Sequence, residues 1–555
     1  MGRKFHGIGL TVLMVSILLY GTAYSGWQPI IGIPQPPFAV SEVAPIVPNP
    51  WSGGVASFYY VCPTCSGATD TSNAYGYPAK PRATVPNTLA AGAVVEIHGT
   101  YNGSGVSATI QGNGSASNPV FIRGVSYAQR PLITQDWTIQ GAYIVLENLW
   151  FGPADSNDTD FGVSIREGTH DVALRNCEFS GNLLLAGGMG VGTWSYTGTD
   201  RVFNIILDNC FIHDMGDVNS PIDQDAHGMT VHGTADNVWL VNSELARCSG
   251  DGIQIEAQQG RRDKIHHVFV GRNNSHDNKQ TGVWVKHAQD VIISQNEIFG
   301  HHTGNSSFGQ GTGFQYGPEN VWFLFNHIHN NDVGIGIGSD DPPGDGLDSY
   351  FIGNVIHDIH ASDPNNTSNA GAFMIRGGTN RYLINNTIYR VDAGINYPTD
   401  GGKLEIINNI IGGRTASTQN EIYMEGASVS SASVVKNNLF YSPTSVRINW
   451  DLSQYTSLSS FQLATGKGEN CLSADPGFVN ATNNDFRIVS TSPAKDSGIV
   501  HTAYTTFLNR YGLNISKDAD GTSRPQGTTW DIGAYEYSGG VSLRQPNSPT
   551  NIQIR

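Results

Sequence analysis

The amino-acid sequence predicts an all-β fold, a parallel β-solenoid of ten or more coils capped at both ends, and three observations carry that reading. Composition is the first. The chain has 66 glycines and only 14% charged residues in 555, a turn-rich make-up short of the Ala, Leu, Glu and Lys that build long helices. A repeat is the second: a short apolar strand running into asparagine ends at Asn176, Asn209, Asn242, Asn273, Asn296, Asn326, Asn354, Asn386, Asn408 and Asn437, in steps of 22 to 33 residues. Such a period is too short for a propeller blade and lacks the leucine spacing of a horseshoe repeat. The third is a glycine-bounded strand in each period: GMTVH (228–232), GIQIE (252–256), GVWVK (282–286), GFQYG (313–317), GIGIG (334–338) and, with Ala leading, AFMIR (372–376). Two or three short strands per period with no 3.6-residue pattern describe one coil, and asparagine suits its corner because it tolerates left-handed backbone and bonds to the next coil.

The elements follow in chain order. Arg3 and Lys4, an apolar run from Ile8 to Tyr20 and the small-residue site Ala23-Tyr24-Ser25 read as an export signal over 1–25. Proline-rich residues 26–56 read as an extended arm or linker, and 57–90 as the amino-terminal cap with a first strand at Phe58-Tyr59-Tyr60-Val61. The solenoid covers 91–474, a carboxy-terminal cap 475–538, and a polar tail 539–555. No later run approaches the ~20 apolar residues of a membrane span, so the expected product is a secreted or surface-attached monomer. A net charge of −16 excludes a generally basic nucleic-acid footprint, while leaving room for an anionic sugar at a local cationic cluster. Cys62-Pro63-Thr64-Cys65 reads as a local disulfide or two idle thiols, and Cys177 and Cys210 as buried small hydrophobes of adjacent coils, close enough for a bridge.

On its Asn-cornered repeat, the chain over roughly 85–480 resembles the right-handed parallel β-helix proteins of the pectate-lyase-like superfamily. Asp475-Pro476-Gly477-Phe478, Phe486-Arg487, Ser492-Pro493-Ala494 and Asp531-Ile532-Gly533-Ala534-Tyr535-Glu536 resemble the terminal segment of many secreted bacterial β-helix proteins, which implies a cap over the open end. The resemblance further implies a sugar chain lying along one face of the coils.

Alternation within the glycine-bounded strands converts sequence into geometry. The first and third residues after Gly are apolar and core-facing, so the second and fourth are expected to face solvent. The second-position column reads Thr230, Gln254, Trp284, Gln315; the fourth reads His232, Glu256, Lys286, with Arg166 and Arg376 further along. His227, Asp251 and Thr281 stand where these strands begin, with Asp223 and Asp225 nearby. Insertions at 186–200, 217–226, 257–266 and 301–311 would wall a groove floored by these strands.

Such residues suit β-elimination on an acidic polysaccharide, which needs a group to neutralise the uronate carboxylate and a base to take the neighbouring proton. The expected catalytic set is Lys286, His227, His232, Glu256 and Asp251. Lys286 leads as base, against the objection that a carboxylate one coil away favours its ammonium form. Trp284, Gln254, Gln315, Arg166 and Arg376 are expected to bind substrate, Trp284 as an exposed stacking platform. Asp223, Asp225, Asp251 and Glu256 are hard oxygen donors suited to Ca²⁺. No organic cofactor is expected. Glycoside hydrolysis by Asp251 with Glu256 or Asp225, and a purely binding or adhesive surface, are the other two readings. Val283-Trp284-Val285-Lys286-His287 has the outline of the Val-Trp-Ile-Asp-His motif of pectate lyases with Lys in place of Asp, and the Arg-x-Pro-x-x-Arg motif is missing. Ala226-His227-Gly228 and Asp340-Asp341 stand in the wrong order for the polygalacturonase pattern.

Overall fold

A computed structural model describes residues 26–539, apart from 104–106, 154–161, 195–199, 339–347, 363–369, 378–379 and 399–401. The expected export signal and residues 540–555 of the tail lie outside the described residues. The chain winds as a right-handed parallel β-helix, each coil contributing one short strand to each of three parallel sheets. In one coil these are His227–His232 in the first sheet, Ala235–Val241 in the second and Glu244–Ala246 in the third. The next coil stacks Ile253–Glu256, Ile265–Gly271 and Asn274–His276 on them in parallel register. Thirteen strands stack in the third sheet. Interior columns of Val, Ile, Leu and Phe fill the tube, among them Val231, Ile255 and Val285, all fully buried.

The recurring asparagine resolves into two adjacent columns rather than one. Asn176, Asn209, Asn242, Asn408 and Asn437 take left-handed backbone at the corner between the second and third sheets. Asn273, Asn296, Asn326, Asn354 and Asn386 stand one residue later, inside the tube, and continue through Asn409 and Asn438. Arg272, Gln295, Phe325, Gly353 and Asn385 fill the left-handed position in those five coils. Each inner amide donates to the next at 2.9–3.0 Å, so the ladder is a continuous internal chain of hydrogen bonds.

Two terminal segments lie elsewhere than the sequence suggested. The proline-rich arm is no linker: Ile30, Ile33, Phe38 and Ala44 pack on the outer face of the second sheet against Trp239 and Phe269. Trp239 Nε1 donates to Pro34 O at 2.8 Å, and Ser294 Oγ to Ile31 O at 2.6 Å. Residues 475–538 do not cover the open end. Phe478, Phe486 and Tyr535 pack on the side of the third sheet, and the helix Thr502–Tyr511 sets Phe507 against Trp322 of the second. The outer asparagines hold this clasp, with Asn408 Nδ2 donating to Ile499 O (2.7 Å) and Asn437 Nδ2 to Ser497 O (3.0 Å). The end is closed instead by the helix Leu458–Thr465, whose Phe461 packs on Trp450 and Tyr455.

Cys62 and Cys65 form a disulfide, whereas Cys177, Cys210, Cys248 and Cys471 are free buried thiols. Among the described residues no helix is long and apolar enough to cross a membrane.

Candidate functional site

Parallel register turns residues 23 to 38 apart in sequence into neighbours about 4.8 Å apart on the outer face of the first sheet. The outermost column runs Arg166, Trp194, His232, Glu256, Lys286, Gln315, Gly338, Arg376. Seven such spacings make a row about 34 Å long. Three of its members are cationic and one anionic, on a chain whose net charge is −16.

The inner outward-facing column is Ser164, Gly192, Thr230, Gln254, Trp284, Gly313, Gly336, Met374. Two expectations are corrected here. Gln315 belongs to the outermost column, because the strand Gln310–Gln315 starts its frame at Gly311 and places Gly313 beside Trp284. Trp284 is not an exposed platform: it is 7% exposed, and Thr230 and Gln254 are buried too. Its ring leans over Gly313, where a Cβ would come within 2.8 Å of it and 1.7 Å of Gly336 O, so glycine is required for this packing. The Trp284 edge then helps line a depression of about 170 Å³ with Phe308, Gln310, Gln315, Met374 and Arg376. Phe308 is 45% exposed with the Arg376 guanidinium 5.2 Å from its ring centre, which makes it the available aromatic surface.

At the strand beginnings the expected bases separate. His227 is buried at the corner, where Nδ1 accepts the Asp251 N–H (2.9 Å) and Nε2 lies 3.4 Å from Asp225. Its basic nitrogen is therefore already engaged, and His227 drops out as a base. Asp251 is 1% exposed; Thr281 Oγ1 donates to its Oδ1 (2.6 Å) and Gln254 Nε2 to its Oδ2 (3.1 Å). Burial pushes its carboxyl above the usual range. Asp251 is thus a fixed internal acceptor rather than a group that reaches substrate.

That acceptor has a consequence further along the strand. Because Gln254 gives its amide hydrogen to Asp251, its carbonyl Oε1 faces His232 Nε2 at 2.8 Å and accepts from it. The His232 tautomer is set: Nε2 carries the proton and Nδ1 the lone pair. Burial holds the imidazole below its ordinary 6.5, against the pull of Gln254 and Glu256, so it is neutral at neutral pH. Lys286 is the opposite case. Its Nζ donates to Glu256 Oε2 at 3.2 Å, so each residue of the pair is already engaged by the other.

The four carboxylates expected to hold Ca²⁺ do not converge. Glu256 stands five residues after Asp251, about 16 Å along the strand, and is paired with Lys286. Asp223 and Asp225 are exposed and share the Gln280 amide, which donates to both at 3.1 and 2.9 Å. These residues do not fit a common ion. Arg261 and Lys264 both pair with Asp263, away from these carboxylates. Nor do Asp251 and Glu256 face each other across a cleft, and His227 stands between Asp251 and Asp225.

The loops meet over the strand beginnings. Lys279 Nζ donates to Ser220 O and Ile222 O (2.8 and 2.7 Å), and Asn305 Nδ2 to Pro221 O (2.8 Å), joining 217–226 to 301–311 as one wall. The structure also supplies residues that the sequence reading passed over. Trp194, with its ring centre 5.2 Å from that of His232, occupies the fourth position after Gly190, the same frame that yielded His232 and Glu256. Phe308, Gln310 and Met374 come from a loop and a neighbouring coil, and only three-dimensional packing brings them together.

Residues 155–356 match the family model described as right handed beta helix region. No curated protein matches the chain. Among solved structures, the chain is similar to pectate lyase Pel9A at 15% identity, over 86% of this chain and 96% of that one, with a TM-score of 0.42. The A-module of the Azotobacter vinelandii mannuronan C-5 epimerase AlgE4 is similar at 15% identity over 56% of this chain and 91% of its own, with a TM-score of 0.40. PfbA, a surface adhesin of Streptococcus pneumoniae, is similar at 11% identity over 65% and 86%, with a TM-score of 0.40.

Proposed function

We propose that the first sheet binds an acidic polysaccharide along its outermost column and cleaves it by β-elimination, with His232 as the base. The observation that carries this is the column itself: a neutral, tautomer-fixed imidazole lies two coils from Arg166 on one side and two from Lys286 on the other. The cations attract uronate carboxylates and withdraw charge from them, which acidifies the C–H next to the carboxyl. His232 Nδ1 takes that proton, the C4–C5 double bond forms, and the glycosidic C4–O bond breaks, its oxygen taking a proton from water to become the hydroxyl of a new reducing end. Trp194 beside His232 and Phe308 above the depression supply apolar contact for sugar rings.

Among the described residues the hydrolytic reading lacks a pair of carboxylates facing each other across the groove, which inverting and retaining mechanisms both require. The test is a panel of pectins, alginates, glycosaminoglycans and neutral glycans. The expected product is an unsaturated uronate absorbing in the ultraviolet, lost by about 10²- to 10⁴-fold in His232→Ala. Reducing ends without that absorbance would establish hydrolysis, and binding with no product would leave a carbohydrate-binding surface; either refutes the elimination.

A further inference from the structure

On the third sheet, away from the groove, the strands Glu297–Phe299, His327–Asn331 and Val355–Ile359 stack in register. Glu297 pairs with His327 on the next coil, and His329 follows His327 by two residues on the same outward face. Glu297 Oε1 lies 3.5 Å from His329 Nε2 and 3.9 Å from His327 Nδ1. One donor atom from each of the three lies within 4.8 Å of the others, the one such His/Cys/Asp/Glu group among the described residues.

The protons around this group are fixed from one side. Arg390 clamps the Asp358 carboxylate with two hydrogen bonds of 2.7 and 2.6 Å. Asp358 Oδ2 lies 2.7 Å from His357 Nδ1 and so accepts its N–H, which leaves the lone pair on His357 Nε2. His327 Nε2 is 2.7 Å from that nitrogen and must donate to it. The His327 lone pair is therefore on Nδ1, the nitrogen that faces Glu297. An imidazole lone pair and a carboxylate oxygen point toward each other with no proton to share, beside a second imidazole.

We propose that Glu297, His327 and His329 bind one divalent transition-metal ion of the Zn²⁺ class, joining two successive coils. Metal–ligand distances of about 2.0–2.1 Å in a tetrahedral site put donor atoms about 3.3 Å apart, against 3.5 and 3.9 Å for the two glutamate–imidazole spacings and no more than 4.8 Å between any two donors, a gap that side-chain rotation closes. Two imidazoles and one carboxylate are a borderline donor set, which selects Zn²⁺, Co²⁺ or Ni²⁺ over Ca²⁺ and Mg²⁺. The side chains of Glu297 and His327 are each 28% exposed, so an ion enters from solvent and finds room for water as fourth ligand. This site is independent of the reaction assigned to the groove.

The test uses the full chain without a polyhistidine tag, dialysed free of metal. Titration with Zn²⁺ followed by calorimetry is expected to give saturable binding near one ion per chain, and Co²⁺ the visible bands of a tetrahedral nitrogen–oxygen site. Glu297→Gln and His329→Gln should each weaken Zn²⁺ binding about tenfold or more, whereas His276→Gln, at the neighbouring Glu244 pair, should leave it unchanged. X-ray absorption on the Zn²⁺-loaded wild-type chain should show two imidazoles and a carboxylate, a readout that does not depend on how any variant folds. Absence of saturable binding, a shell without two imidazoles, or equal affinity in folded Glu297→Gln and His329→Gln overturns the proposal.

Discussion

Replacing Asn326 tests whether the inner asparagine ladder holds the coils together. The residue is fully buried; its Oδ1 accepts from Asn296 N–H (3.0 Å) and Nδ2 (2.9 Å), while its Nδ2 donates to Ile293 O (2.9 Å) and Asn354 Oδ1 (3.0 Å). Asn326→Leu removes all four. Asn354 Oδ1 still receives the backbone N–H of residue 326, and the Asn296 amide still reaches Val270 O and Ser294 O. The Asn296 backbone N–H is left without its partner. One orphaned buried donor at about 1–3 kcal/mol, with the net loss of the other bonds, gives about 3–5 kcal/mol. Asn326→Ser should cost less, about 1–2 kcal/mol, because the chain already does this at Ser243, whose Oγ accepts from Cys210 N–H (3.0 Å) and donates to Val241 O (2.8 Å). Since a solenoid opens locally, hydrogen exchange of the strands on either side is the proper assay, with chemical denaturation beside it. A leucine variant as protected as wild type, or a serine variant worse than leucine, would refute the ladder argument.

Three further outcomes are expected. If His232 is the base, kcat/KM on an active polysaccharide should hold as pH falls through 6.5 and drop only below the depressed pKa, an acid limb that a pH–rate profile on wild type and Lys286→Ala should both show. Gly313→Ala should lower both substrate affinity and melting temperature, since its Cβ would displace Trp284 and strike the Gly336 carbonyl. His301 is fully buried and pushed by burial down to about 4, below its unfolded 6.5. The unfolded chain takes up that proton first, so its contribution to stability is complete above 6.5 and lost as pH falls toward 4, at about 1.4 kcal/mol per unit. Denaturation curves from pH 7 to 4 should be flatter for a folded His301→Gln variant.

The coil count and the outward columns were legible because they depend on period, and period survives in sequence. The frame was harder. Gly311-Thr312-Gly313 offers two glycines at strand-compatible positions, and a choice between them moves Gln315 by one pair without changing its face. The two asparagine columns merged for a similar reason: either Asn242 or Asn273 ends an apolar run, but one turns the corner and the other bonds inside. Exposure was misjudged at Trp284 because alternation gives direction and not cover; the bare backbone at Gly313 lets the ring lie down. The Asp251–Gln254–His232 relay joins positions whose roles depend on which way one amide faces, and no spacing encodes that.

What covers each sheet decides where a long ligand can lie. Strands of the second sheet, such as Val-Trp-Leu-Val (238–241) and Val-Trp-Phe-Leu (321–324), are apolar at every position, the pattern of strands buried on both faces. The arm and the helix Thr502–Tyr511 provide that cover, seating Ile33, Phe38 and Phe507 on it. On the third sheet the clasp lies over the coils of Val355, Tyr389, Ile410 and Leu439. The first sheet shows neither pattern: its outward columns alternate with a buried apolar set and carry His, Lys, Arg, Glu, Gln and Trp in unbroken register. Among the described residues, neither terminal segment packs on that column. A polymer aligned with the helix axis therefore meets its cations and its neutral imidazole in one continuous row, while the other two faces serve to hold the coils in place.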